Sequence, residues 1–352
     1  MIELWYAALV FMIATYVVLD GRNFGIGMLH LLVARTRQER RQVIAAIGPL
    51  WTWHEVWLVA FGGVLLVAFP RLYAVAFSGY YLALFLILWC LVFRGIALEV
   101  GGHIDDAMWQ AFWDVVFSIS NILLAVVFGV ALGNVLRGVP VDQNGNFPLS
   151  FFTTFSVRGS VGLLDWYTLA MSLVCCVFLV AHGATYLTLK TEGPVHDRAE
   201  RVMRLAWKCL PFLFVAISAA TWAVRPHLHL KLSEQPLQWV ALVVAFCGAF
   251  QLYRSLQSRD ERGAFAGSCA VLGALLVSGG AAIFPVVLYS TIAPEYSLTI
   301  YNCAADERGL QMAARWWPIA LVLTCAYFLF ISRYYRGKVK ASDAADAYGS
   351  MH

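Results

Sequence analysis

His54 and Glu55 stand among three tryptophans in Trp51-Thr52-Trp53-His54-Glu55-Val56-Trp57, at the start of a long apolar run. A carboxylate or imidazolium in hydrocarbon is costly, roughly 2.5 to 3.5 kcal/mol for Asp at a helix centre on the insertion scale, so such groups face a protein interior, a partner or a proton path. Asp20, Glu99, His103, Asp114 and His182 are likewise embedded in or beside apolar runs. Glu99 and His103 are four apart and share one face if the third run stays helical. Asp114 enters the next run at the same level. Carboxylates and imidazole near water suit proton uptake. The plainer reading is that Glu99 and Asp114 decorate helix ends, where Asp near an N-terminus is favourable.

Other chemistries fall away. His54-Glu55 opens like a zinc-protease helix, but Leu58 stands where the second histidine belongs. No Gly-Lys-Ser/Thr follows Gly21, Gly25 and Gly27, which read instead as close helix contacts. No metal site and no catalytic residue of this chain's own emerges. Seven cysteines lie in apolar runs, only Cys303 lies in a loop, and there is no CxxC. His30, His227 and His229 read as interfacial or loop histidines.

These groups are carried by a membrane protein. Hydrophobic residues make up 61% and charged residues 13%, with mean hydropathy +0.71, too apolar for a soluble domain of 352 residues. Runs near 5–29, 44–69, 72–98, 112–136, 162–189, 205–224, 237–253, 264–288 and 316–332 are each long enough to cross, which predicts an all-α polytopic fold of about nine spans. Residues 1–340 form one integral-membrane domain, and 341–352 a polar cytoplasmic tail. Ten-residue alternation, the mark of a β-barrel, is absent. The first run is too long, and too interrupted by Asp20-Gly21, for a removable signal sequence. Sixteen lysines and arginines, Arg94 among them, follow the odd-numbered spans and seven follow the even ones. The positive-inside rule then sets the N-terminus outside and the C-terminus in the cytoplasm. No basic stripe interleaved with stacking aromatics suggests nucleic acid.

The order and spacing of many residues resemble subunit II of the cytochrome bd-type quinol oxidases. Asp20-Gly21, Gly25-Ile26-Gly27-Met28-Leu29, Gly48-Pro49-Leu50-Trp51, Glu55-Val56-Trp57-Leu58, Phe93-Arg94-Gly95, Trp113-Asp114 and His182-Gly183-Ala184-Thr185 carry the likeness, which runs over nearly the whole chain. The resemblance implies two four-helix bundles plus a peripheral ninth helix in a bacterial cytoplasmic membrane. It implies a heterodimer with a subunit I that holds haems b and d and oxidises quinol to reduce oxygen to water. Protons would be taken from inside without pumping. Subunit II would carry no haem, support assembly and line a cytoplasmic proton path. The resemblance also leaves room for a structural quinone and a small single-span accessory subunit. Asp20, Gly21, Trp51, Trp57, Arg94 and His182 match structural signature positions, and Glu99, His103 and Asp114 match polar positions of the proton path.

The chain departs from the pattern at that path. Thr52-Trp53-His54 replaces Asp-Gly-Asn after the tryptophan, Asn23 replaces a second acid, and Gly101 an arginine. Thr52 can hydrogen-bond a relay water but carries no transferable charge, so His54 and Glu55 become the compensating candidates. Three alternatives stand beside this reading: a divergent bd-like subunit with different electron or proton chemistry, His54 as an extra haem ligand, and an ion or small-solute transporter whose first span breaks at Asp20-Gly21. A purely structural partner differs only in whether the polar cluster moves protons.

Overall fold

A computed structural model describes residues 1–147, 150, 153–157, 159–230, 236–335 and 337–340. The expected tail, 341–352, and Arg158, Lys231 and Arg336 lie outside the described residues. Among those described, nine helices are long and apolar enough to cross a membrane. The helix α1 (Ile2–Val33) has 32 residues, about 48 Å of rise against a hydrocarbon core of ~30 Å. It runs unbroken through Asp20-Gly21, contrary to the expected break, because both residues are buried against other helices and Gly21 makes room for Leu179.

After α1 the chain forms a short amphipathic helix, α2 (Arg37–Ile47), and not the start of a span. Thr36 and Glu39 close a capping box at its start. Burial pushes the Glu39 carboxyl up, but bonds from the backbone N–H of Arg35 and from Arg198 outweigh it and hold the group below its ordinary range. Gly48, at φ 62°, and Pro49 then turn the chain. The second span therefore begins at Trp51, as α3 (Trp51–Ala68). The expected run 72–98 is divided near Gly79 and Tyr80 into α4 (Pro70–Gly79) and α5 (Tyr81–Val100). α6 (Ala107–Arg137), α7 (Trp166–Lys190) and α8 (Pro194–Val224) follow. α8 starts eleven residues before the expected 205, with Val195 and Ala199 of its first turns buried and Arg198 paired to Glu39 at 2.6 Å. After a single turn, α9 (His227–Leu230), come α10 (Pro236–Ser258) and α11 (Glu261–Ile283). A two-stranded hairpin, β1 (Val286–Leu288) and β2 (Leu298–Thr299), and the short α12 (Ile300–Cys303) lead into α13 (Glu307–Tyr334). Asp106, Asp165, Asp260 and Asp306 each accept a first-turn backbone N–H, so four of the long helices begin on an N-cap.

The spans sort into two four-helix bundles, α1, α3, α5, α6 and α7, α8, α10, α11, with α13 peripheral against α3. The bundles join where α1 crosses α7. A Cβ on Gly25 would sit 1.9 Å from the Leu179 carbonyl oxygen, and one on Gly183 2.6 Å from the Gly25 backbone. Two glycines thus let the backbones touch, the small-residue contact that replaces hydrophobic drive inside lipid. Past α13 the chain folds back over the end that carries α2. Val339 N–H donates to Lys190 O at 2.7 Å, Gln42 Nε2 to Val339 O at 2.8 Å, and Lys338 pairs with Glu261 at 2.7 Å.

Candidate functional site

Four helical residues of α1, Asp20, Arg22, Asn23 and His30, are almost fully buried. Positions 20, 23, 27 and 30 recur at three and four residues and line one face, while Arg22 lies off it, against His54 and Tyr186. α3 brings His54 and Glu55 to that face, and α5 brings Arg94. Arg94 is fully buried and binds two carboxylates, Asp20 Oδ2 at 2.9 Å and Glu55 Oε1 at 2.5 Å, while its guanidinium lies 4.9 Å from the Phe24 ring. A buried charge holds its place only when paired in this way, and removing one partner of such a pair costs about 3–5 kcal/mol. Arg94 therefore belongs to the membrane interior and not to the loop charges that set orientation.

His54 lies between two helical neighbours of Asp20. Arg22 donates to His54 Nε2 at 2.9 Å, and its guanidinium stacks 4.2 Å from the Tyr186 ring. A guanidinium can only donate, so Nε2 accepts and the ring proton belongs on Nδ1. That nitrogen sits 2.8 Å from Asn23 Nδ2 and 3.8 Å from Asp20 Oδ1. Asn23 Nδ2 already donates to Asp20 Oδ1 at 2.9 Å. Only Asn23 bonds that carboxylate oxygen, since 3.8 Å from Nδ1 is too long for a hydrogen bond, and Nδ1–H meets the Asn23 amide donor to donor. Both ring nitrogens of His54 face protein groups at hydrogen-bonding distance, so the imidazole has no free nitrogen for a haem iron, and the extra-ligand reading does not fit. Of the whole cluster only Glu55 reaches the surface, with a quarter of its side chain exposed (25%). It opens on the side of α3 where Thr52 and Val59, three residues before and four after it, are exposed.

A second cluster lies nearer α2. His30 Nε2 bonds Asp114 Oδ1 at 2.7 Å, and Arg40 of α2 holds the other oxygen of that carboxylate at 3.0 Å. The His30 ring, fully buried, meets Phe117 edge-on at 5.3 Å. His30 is thus no interfacial histidine. Glu99 instead accepts from Trp51 Nε1 at 3.1 Å. The helical face expected for Glu99 and His103 does not form, because α5 ends at Val100 and Gly101-Gly102 turn the chain, with His103 N–H bonded to Val100 O. His103 is exposed in that turn, and Thr52 is exposed on α3, one turn before Glu55. His182 packs inside α7, with Nε2–H donating to Val18 O and Nδ1 at 2.9 Å from Ser268 Oγ. Trp57 is buried, edge-on to Phe11.

The sequence reading missed Arg22, Asn23, His30 and Arg40 as site residues. The signal for Asn23 and His30 was present in the helical phase of Asp20 along α1, whereas Arg22, two residues on, lies off that face. Arg40 was visible only as a loop charge.

Residues 1–335 match the family described as cytochrome bd terminal oxidase subunit II. The cytochrome bd ubiquinol oxidase subunit 2 of Bacillus subtilis is 29% identical over 317 residues, covering 88% of each chain. The cytochrome bd-I ubiquinol oxidase subunit 2 of Escherichia coli is 28% identical over 347 residues, covering 91% of this chain and 89% of that one. Among solved structures, the bd oxidase from Geobacillus thermodenitrificans superposes with TM-score 0.73 at 15% identity, over 95% of this chain and 98% of the matched chain, which speaks for the fold. A match over nearly the full length, on a fold of two four-helix bundles with a ninth helix outside, excludes the transporter reading: the chain belongs to the cytochrome bd terminal oxidase subunit II family.

Proposed function

We infer that this chain, as subunit II of a cytochrome bd quinol oxidase, holds the haem-bearing subunit I in place and carries protons from the cytoplasm toward it through the ions buried between α1, α3 and α5. The observation that carries this reading is the Asp20, Arg94, Glu55, His54 and Arg22 cluster. A purely structural bundle gains little from five ionisable groups in its interior, since well-packed apolar residues serve stability as well or better. Glu55 joins this interior to the exposed apolar side of α3, the surface on which subunit I would sit. When bound in subunit I, the haems supply the electron and oxygen chemistry. The residues of this chain bind, hold and pass protons.

The cytoplasmic orientation of the α2 end rests on the charge bias, which is fifteen to seven once Arg94 is taken from the sixteen as a membrane-interior residue. A structural quinone would suit the apolar groove of about 610 Å³ between α1, α10 and α11, which has Tyr6 and Glu3 at its outer end. A small accessory subunit rests on family resemblance alone.

Two experiments test the reading. Glu55→Gln in the purified complex should lower turnover with excess quinol, read per assembled haem because the change also takes one carboxylate from Arg94, by roughly 10²-fold, the usual loss for a proton-transferring group; full turnover per haem would refute the relay. For orientation, Cys303 is unsuited to labelling because it is buried. A cysteine at Glu295 should react with an impermeant thiol reagent in intact spheroplasts, and one at Ser258 only after lysis. The opposite pattern would invert the topology.

A further inference from the structure

Between the His30–Asp114 pair and the His54 cluster, α1 and α6 meet along a polar line that those two sites do not use. On α6, Asp114, Ser118 and Asn121 follow one another at four and three residues, so they share a face. On α1, His30, Gly27 and Asn23 do the same. The two faces touch: a Cβ on Gly27 would fall 2.2 Å from Asn121 Nδ2. Ser118 and Asn121 are buried, at 4% and 0% exposure.

Four buried atoms on this line have no hydrogen-bond partner: His30 Nδ1, Ser118 Oγ, Asn121 Oδ1 and Asn23 Oδ1. Buried polar atoms without partners are rare because each costs its desolvation. The chemistry of the four is one-sided. Asn121 Nδ2 donates to Phe117 O at 2.7 Å and Asn23 Nδ2 to Asp20 Oδ1, which fixes both amides with their oxygens free. His30, with Nε2–H directed at Asp114, offers a lone pair on Nδ1 while neutral. Three acceptors and one hydroxyl thus lie along the seam without partners, and a single hydroxyl hydrogen cannot serve them all. What fits is a small ligand rich in donors and able to bond several partners at once, which is water, neutral or protonated.

We propose that the α1–α6 seam binds a file of ordered waters that connects His30 and Asp114 to Asn23 and His54, making His30 and Asn121 positioning residues for proton uptake. This deepens the proton-path reading and rests on it. The dimensions agree. From His30 to Asn23 is seven residues of α1, about 10 Å, which about three waters span at ~2.8 Å per hydrogen bond. The last turn, from Gly27 to Asn23, is about 6 Å, the reach of one bridging water. For inward transfer Asp114 must be protonated and the ring proton must stand on Nδ1: Nε2 then takes the proton of Asp114 while Nδ1 releases its own into the seam, which leaves the Nε2–H form that a ring flip resets. The route differs from one through Glu99, His103 and Thr52, which lie on exposed surface.

The test uses the intact oxidase complex. A density map at a resolution that shows ordered solvent should place waters within hydrogen-bond distance of Ser118 Oγ, Asn121 Oδ1 and His30 Nδ1; a dry seam overturns the proposal. In parallel, Asn121→Leu removes the acceptor at similar volume. Turnover with excess quinol should fall roughly tenfold or more, short of the ~10²-fold typical of losing the proton-transferring group itself, and fall further as pH rises. Haem content should be unchanged and Asn121→Ser should restore much of the rate. Asp114→Asn is measured alongside. If it slows turnover and Asn121→Leu does not, the seam is wrong and uptake through Asp114 stands. If neither slows turnover, both readings fail.

Discussion

The two four-helix bundles share an architecture and differ in what they bury. Inside the first, α1, α3 and α5 enclose Asp20, Arg22, His54 and Arg94, all charged or titratable and nearly inaccessible. Inside the second, the polar pairs are neutral: His182 with Ser268 at 2.9 Å, Tyr167 with Thr221 at 2.9 Å, and Trp207 Nε1 donating to Thr185 Oγ1 at 2.9 Å. Its ions, such as Arg204 with Glu200 and Lys338 with Glu261, stay at the membrane boundary. Hydrogen bonds between hydroxyls, rings and carbonyls suffice to fix helix register. Buried ions cost more than that task requires; a buried pair, Arg137 with Asp165, also ties the end of α6 to the start of α7, so what sets the first bundle apart is a cluster of ions within the spans and not at their ends.

The largest test of this contrast is Arg94→Gln. It leaves Asp20 and Glu55 without their counter-charge and should cost about 3–5 kcal/mol, read as loss of assembled, haem-bearing complex from the membrane. Normal assembly would mean that the cluster is not held by charge pairing. A middling effect is expected from Ser268→Ala in the second bundle. Losing one neutral hydrogen bond should lower stability by about 1 kcal/mol, seen as a modest fall in Tm, with turnover and its pH profile unchanged. A shifted pH profile there would extend the proton chemistry into the second bundle and erase the distinction. The smallest effect should come from restoring the family acid with Thr52→Asp. Thr52 is exposed in the first turn of α3, where a carboxylate gains at most ~1 kcal/mol from the helix dipole. Assembly should be normal, and Thr52→Asp should not rescue Asp114→Asn, because Thr52 stands on α3 whereas Asp114 is held on α6 by His30 and Arg40. Rescue would place Thr52 on the route after all.

The spans and the fold class were legible because apolar length and helical caps are local properties. Asp20 and Arg94 were legible as family positions, but their contact was not. Pairing across 74 residues depends on the rotational phase of two helices about their own axes, which no single run reveals. Arg40 and Asp114 were hidden for the same reason: α2 had to be recognised as a surface helix before its arginine could be brought over α6. The opposite error arose at Glu99 and His103. Their spacing of four promised a shared face, and Gly101-Gly102 ended the helix between them. His54 was singled out on chemistry alone, yet its partners Arg22 and Asn23 lay 32 and 31 positions away on α1.

The buried Arg94 also bears on how the chain is made. Synthesis runs from the N-terminus, so the span carrying Asp20 and Arg22, one charge of each sign, enters the membrane first. Glu55 follows near the edge of the next span. Arg94 arrives last, when both of its carboxylates are already in place to receive it. An arginine at a span centre costs about 2.5–3.5 kcal/mol when it inserts alone. The order of charges along the sequence thus spares the third span from insertion as an unpaired cation, and a circularly permuted chain that began at α5 would lose that protection while keeping every contact of the folded state.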